Sequence, residues 1–438
     1  MFSTPAMTDA VGAEAWLRAM LRFEAALATA EGDNGLIPAE MATRVSDFCA
    51  QVKLDPARIG DAARAAANPG GPFVQALKEA APDGIAGYIH RGATSQDVLD
   101  TAMVLVSRDA LGVLGRNLDR LAAASAELAQ KHRSTLILGR TLLQPAVPIT
   151  FGLKAAGWLS ATVDSRKALS RWLREDAALQ FGGAAGTLAS LGIDGFAVAT
   201  ALGEELELRV PATPWHTSRG RVLRLAAALV ESAGVAGKVA LDIVLLAQAE
   251  VAEVTEGGAP GAGRSSTMPQ KRNPSAAVSV IAAARRASAL LSLFSGSLLQ
   301  EHERAAGAWQ AEWPTLCDLF LLTDVAVSGM AGLLENLEVN DRRMEANLKA
   351  QGGLSMAEAV VAGLTRATNA GHARTIVEAA IARAAATGCS FREAILGDSE
   401  AVEAVGASAL VASLEPANYL GSTNEFIDRA LASWRERI

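Results

Sequence analysis

The sequence predicts an all-α protein, and three observations carry that prediction. Half of the 438 residues are apolar but only 5% are aromatic, so alanine and leucine, both strong helix formers, supply most of the apolar content. Proline, which costs about 3 kcal/mol inside a helix, is missing from 83–144, 215–259, 275–313 and 315–415. Within these windows apolar residues recur at helical spacing, as Leu111, Leu114, Leu118, Leu121 and Leu128 do. Strand-like alternation is scarce, and no repeat of solenoid or propeller period stands out.

The elements follow in chain order. An N-terminal helical domain is expected over 1–105, then a central bundle of long helices over 106–350. A C-terminal helical domain over 351–438 opens near QGGLSMAEA. The one long break in helical character lies inside the bundle, at 256–274, where EGGAPGA leads into GRSSTMPQKRNP. Helices this long and this rich in alanine and leucine are expected to pack their apolar faces against other copies of the chain, giving a homo-oligomer.

Composition excludes several classes. A net charge of -7 argues against a nucleic-acid partner, which calls for a concentrated basic face. Three scattered cysteines, Cys49, Cys317 and Cys389, suit a reducing compartment. No CxxC or HxxxH spacing suggests a metal, and no Walker or dinucleotide loop suggests a nucleotide cofactor. The N-terminus lacks the basic and apolar regions of a signal peptide. Apolar stretches such as ASALLSLFSGSLL fall short of a membrane span. The expectation is a cytoplasmic enzyme with no cofactor, no metal and no membrane partner.

Four segments carry chemistry. In YIHRGATSQDVLDTA, His90, Thr94, Ser95 and Gln96 precede a helix whose first turn holds Asp97 and Asp100. Capping and dipole complement explain the acids, but capping needs neither His90 nor Gly92. GRTLLQPAVP offers Thr141 and Gln144, and alone reads as a turn between helices. GRSSTMPQKRNP brings Ser265, Ser266, Lys271 and Asn273 together. Asn273-Pro274 reads as an N-cap and first helical position, so the helix would aim its N–H groups at an anion held by Lys271 and Asn273. In QEHERAAGAWQAEW, expected to be helical, Arg304 is the residue suited to a carboxylate, through its planar fork. His132, His216 and His372 read as structural or surface histidines, His216 being the one that could reach a site.

GRSSTMPQKRNP is similar to the GSSxMPxKxN signature of the fumarase/aspartase superfamily, with Arg264 beside the usual small residue. HRGATSQDVLDTA and GRTLLQPAVP resemble the first and second regions of that family, in the right order over most of the chain. The resemblance implies a three-domain all-α subunit and a homotetramer built on a central helix bundle, with active sites shared between subunits. It implies removal or addition of a proton next to a carboxylate through an enediolate, with Ser265 acting on the carbon-bound proton. Lys271 and Asn273 would bind substrate carboxylate, and His90, Thr94, Ser95 and Gln144 the others. His90 could instead be the acid–base group.

Two departures select a branch. Where many members have THxQ, with a histidine on the leaving-group side, this chain has Leu142. The usual carboxylate partner of that histidine, thirteen residues after the first serine, is Val278. An amine, ureide or hydroxide leaving group needs a general acid. A carboxylate does not, because it is ionised near neutrality. The departures and the segments GRTLLQPAVP, PWHTSRGR and ERAAGAWQAEW resemble the cycloisomerase branch. Its members add a carboxylate of 3-carboxy-cis,cis-muconate across the diene to give 4-carboxymuconolactone in protocatechuate breakdown. The alternatives are a sulfomuconate cycloisomerase, an adenylosuccinate lyase-like C–N lyase, and a non-catalytic scaffold of the superfamily.

Overall fold

The computed structural model describes residues 3–258, 263–264, 267–268 and 270–436. Helix dominates, and the longest helix, Ser95–Lys131, has 37 residues. Strands among the described residues form two small antiparallel ribbons, with isolated bridges at Ala178–Arg209 and Arg264–Arg272. One pairs β1 (Leu136–Thr141) with β2 (Gln144–Thr150), in register from Leu136↔Thr150 to Thr141↔Gln144. The other pairs β3 (Val254–Glu256) with β4 (Leu337–Val339).

The chain divides into two compact units. The first comprises Met1–Leu118, Asp164–Gly237 and Ser279–Gly329, and the second Asp119–Val163, Lys238–Val278 and Met330–Ile438. Each boundary falls inside a long helix, namely Ser95–Lys131, Phe151–Glu175, Gly220–Leu246, Ser275–Gly296 or Ala308–Glu335. Three of these helices lie within the proline-free windows 83–144, 215–259 and 275–313, whereas Phe151–Glu175 lies outside them and Ala308–Glu335 crosses Pro314. Buried Phe23, Phe73, Leu99, Trp215, Phe294 and Phe320 belong to the core of the first unit. In the second, Phe151 meets Trp158 edge to face at 5.7 Å. Farther along, Val360, Leu364, Ile376, Phe391 and Ile395 form an apolar cluster of their own.

Three local readings change. GRTLLQPAVP is a β-hairpin and not a turn between helices, because Leu136–Leu138 pair back to Thr150–Pro148 and pin the register. The Ala308–Glu335 helix runs straight through Pro314. Burial of Trp309, Leu316, Leu319 and Phe320 offsets the cost of the missing N–H. His302 and Arg304 are not helical: that helix begins only at Ala308, after Gly307 at φ +123°.

Apolar length was also underestimated. Ser275–Gly296 and Ala308–Glu335 are each long and apolar enough to cross a membrane by length and composition alone. The Ala308–Glu335 window is 61% buried within the protein, whereas that of Ser275–Gly296 is only 28% buried.

Candidate active site

The predicted residues fall into two groups. His90, Thr94, Ser95 and Arg304 belong to the first unit, and Gln144, Lys271 and Asn273 to the second. Ser265, with Ser266 and Pro269, lies outside the described residues.

In the first unit the chain turns sharply before the long helix, with His90 at φ +61° and Gly92 at φ +67°. A side chain at Gly92 would strike Leu191 at 2.6 Å, so the local sequence needs glycine there. Thr94 caps the helix through its carbonyl, which accepts from Asp97 N and Val98 N. Asp97 completes half of the predicted capping device, accepting the Thr94 N–H at 3.0 Å.

That carboxylate does much more than cap. Fully buried, it also accepts from Gly182 N (3.0 Å), Gly183 N (2.8 Å), Gln180 Nε2 (3.1 Å) and His216 Nε2 (2.8 Å). It thereby ties the Thr94 turn to the 180–183 loop. Arg304 closes the arrangement, donating from Nη1 to Thr94 Oγ1 at 2.8 Å and from Nη2 to Ala184 O at 3.0 Å. Thr94 and Arg304, read from segments far apart in the sequence, are thus brought together. Ser95 is half-buried at the helix start.

Beneath this lies a buried ionic knot. Arg219, 1% exposed, donates to Asp100 at 2.7 and 3.0 Å and to Glu312 at 2.5–3.1 Å. Trp309 Nε1 adds a bond to Asp100 at 3.0 Å, and the Arg219 guanidinium sits 4.8 Å from the Trp215 ring centre. Gln96 bridges Asp100 Oδ2 and the His216 carbonyl. Burial pushes the Glu312 carboxyl up, and Arg219 opposes it only in part.

His90 has a partner that the sequence did not suggest. Its Nδ1 lies 2.6 Å from Oε1 of Glu24, a buried residue on the Ala13–Asp33 helix. One helix face therefore buries two acids, Glu24 and Glu31, seven residues apart. That pairing on an otherwise apolar face was the available signal. Burial pushes the Glu31 carboxyl up to about 7, against the pull of Arg91.

The second unit holds its residues differently. The hairpin turn is Leu142–Leu143, with φ +51° and +64°. This is the conformation that two-residue hairpins fill with Asn-Gly. Both leucines project outward, 96% and 70% exposed, and Gln144 follows, also exposed. The ribbon is anchored by Arg140, which forks onto buried Glu253 with two bonds of 2.8 Å. Asn347 Nδ2 donates to the same carboxylate at 2.8 Å.

The signature loop closes on itself. Gly263 O accepts from Asn273 N at 2.8 Å and from Asn273 Nδ2 at 3.1 Å, and Arg264 bridges Arg272. Glycine is required at 263, since a Cβ there would meet Asn273 O at 2.3 Å. The helix begins at Ser275, and Asn273 spends its side chain on Gly263 rather than on capping. The N–H groups expected to face a substrate anion are already bound. The Glu256 carboxylate accepts from Ala276 N at 3.1 Å and Ala277 N at 2.8 Å. Lys271 is exposed, as are Arg264 and Arg272 of the same loop.

Three of the other histidines have structural or surface partners. His216 is buried on Asp97, His132 packs on Phe151 and pairs with Thr135, and exposed His372 meets Glu400. Val278, where a carboxylate would partner a catalytic histidine, is 54% exposed.

A hairpin tip, a capped polar turn and a lysine-bearing loop, all set on long helices, are the parts the fumarase/aspartase resemblance calls for. A family model described as Lyase matches residues 3–288, and the chain belongs to this lyase family. It is 43% identical over 436 residues to 3-carboxy-cis,cis-muconate cycloisomerase of Bradyrhizobium diazoefficiens, covering 99% of this chain and 97% of that one. Nitrosuccinate lyase of Streptomyces davaonensis is 39% identical, over 96% of this chain and 91% of its own. The crystal structure of 3-carboxy-cis,cis-muconate lactonizing enzyme from Pseudomonas putida superposes with a TM-score of 0.93 at 39% identity, covering 99% and 98% of the two chains.

Proposed function

We propose that the chain is a cycloisomerase that lactonises 3-carboxy-cis,cis-muconate to 4-carboxymuconolactone, a step of protocatechuate breakdown. The observation that carries this reading is the near full-length similarity to enzymes of that name. Apolar Leu142 and Val278, where the superfamily elsewhere keeps its histidine and carboxylate, fit a reaction that needs no proton on the leaving-group side.

One substrate carboxylate adds to the conjugated diene, forming the ring C–O bond. The displaced electron pair moves onto another carboxyl group as an enediolate. Ser265 then delivers a proton to the carbon, completing the lactone. Lys271 and Asn273 stabilise the enediolate, and Arg304, Thr94, Ser95, Gln144 and His90 hold the other carboxylates. The helix dipole at Ser275 takes no part, because Glu256 already occupies it.

The reading includes a homotetramer whose active sites are shared between three subunits, so that the four segments meet only in the assembly. The open face of Ser275–Gly296 supports this. Exposed Val278, Ala282, Arg285, Ala289 and Ser292 alternate at four and three residues, the spacing of a helix–helix seam. The division at 105 and 350 belongs to the same reading, and the separate apolar cluster beyond 355 supports the last domain.

The test is an ultraviolet assay that follows loss of the diene, with nitrosuccinate and adenylosuccinate run in parallel. Turnover of muconate, cut by about 10²-fold or more in Ser265→Ala and Lys271→Ala, is the expected result. Cleavage of nitrosuccinate or adenylosuccinate without muconate turnover would replace the reading by an elimination. Sedimentation at working concentration should give four chains per particle.

A further inference from the structure

The superfamily's His–Glu pair is missing at Leu142 and Val278, yet the chain builds another. His90 Nδ1 and Glu24 Oε1 are 2.6 Å apart. The Glu24 side chain is fully buried, and its other oxygen has no partner among the described residues. A buried carboxylate needs a compensating charge, and His90 is the side chain bonded to it.

The ring is aimed as well as paired. His90 holds a left-handed backbone, φ +61°, a conformation that is strained for a non-glycine residue. Its side chain is 13% exposed, and Nε2 makes no hydrogen bond among the described residues. Four residues on, Thr94 receives the Arg304 guanidinium.

We infer that Glu24 is a positioning residue that fixes His90 as a charged imidazolium, with Nε2–H presented to one carboxylate of the substrate. This rests on the polycarboxylate reading of the site. Burial pulls the imidazole pKa down, but the charge and hydrogen bond of Glu24, helped by Asp97 and opposed by Lys78, outweigh it, leaving a net rise. Buried Glu31 adds negative charge beside Glu24 once it ionises, and Arg91 faces it. A purely structural pair, tying the turn to the Ala13–Asp33 helix, would serve equally well whether charged or neutral, and that difference is measurable.

Glu24→Gln keeps an oxygen that accepts from Nδ1 and removes the charge. Its kcat/KM on 3-carboxy-cis,cis-muconate should lie closest to the parent's at pH 6, where protons are more available to the ring. It should fall about tenfold or more by pH 8, through KM with kcat nearly unchanged, as befits one lost charge-assisted hydrogen bond. A loss equal at both pH values, or no loss, overturns the proposal. Titration of the histidine ring resonances tests the pair without any substrate. His90 should titrate above the ordinary imidazole range in the parent and at lower pH in Glu24→Gln. A parent midpoint at or below that range, or the same midpoint in both proteins, overturns it. A parent that leaves muconate untouched counts against the substrate reading, while the titration still decides on Glu24.

Discussion

The Thr94–Arg304 region and the Leu142–Leu143 hairpin both present predicted site residues, and they are built on opposite principles. At Thr94 the backbone N–H, the carbonyl and the hydroxyl all have partners, and the partners lead down to buried Asp97 and Arg219. At the hairpin tip the leucines carry strain and exposure, with the supporting ion pair Arg140–Glu253 lying behind them. The first region is positioned by satisfied charge and the second by backbone geometry held open. A region of the first kind should fail when a partner is removed. One of the second kind should tolerate relief of its strain and lose function instead.

The largest break is expected at Arg219. Arg219→Met leaves Asp100 and Glu312 buried without a cation, which costs on the order of 3–5 kcal/mol. Thermal unfolding should show a correspondingly large drop in midpoint. Arg140→Met, at the rim of the hairpin where the guanidinium is 25% exposed, should cost clearly less. Equal losses would remove the contrast between the two regions.

Asp97→Asn is the next step down. The amide turns donors toward some of the groups that now donate to Asp97, among them Gly182 N, Gly183 N and His216 Nε2. Stability should fall by about 2–4 kcal/mol. Because Thr94 and the Ala184 carbonyl both hold Arg304, turnover at a temperature where the variant is folded should fall about tenfold or more.

How much of this was legible follows from how local each signal is. Most of the long helices and the capping acid Asp97 rest on neighbouring residues and were legible in the sequence, whereas Asp100, expected in the first turn, lies beyond it because the helix already starts at Ser95. The bond from Arg304 to Thr94 spans 210 positions, and no periodicity encodes it. Glu24 shares a face of its helix with Glu31, which marks it as unusual, but its role shows only when His90 is placed against it. The hairpin was missed for a different reason. Its turn residues are leucines, and nothing in Leu-Leu signals a left-handed pair. Glu256 was read as part of a glycine-rich approach, so its occupation of the helix N-terminus went unforeseen. Resemblance supplied what local pattern did not, including the meaning of Leu142 and Val278.

A smaller effect tests a buried acid of the first unit. Glu31 is fully buried, and neither carboxylate oxygen has a hydrogen-bond partner among the described residues. Its pKa is raised from 4.5 to about 7, so the folded state favours the protonated acid. The penalty is absent below pH 4.5, grows between 4.5 and 7, and is complete above that. Glu31→Gln should therefore change little at pH 4.5 and stabilise by about 1–3 kcal/mol at pH 8. Denaturant midpoints at the two pH values measure it, and equal shifts at both would remove the titration from the explanation.

The smallest expected change in stability is at the hairpin, and it sharpens the comparison most. Leu142→Asn with Leu143→Gly supplies the residues that two-residue turns prefer at positive φ. Relief of strain should raise stability by about 1 kcal/mol, since the exposed leucines lose little burial. If the tip is built for function, the same pair of substitutions should lower kcat/KM by about tenfold, because the apolar wall that replaces the superfamily's histidine would be gone. Gain of stability with loss of turnover is the outcome that a strained functional turn requires. Gain of stability with full activity would mean that the leucines are incidental, and that the absence of histidine at 142 is enough by itself. Loss of stability would mean that the leucines are covered in the assembled enzyme, and dissociation measured by sedimentation should then accompany it.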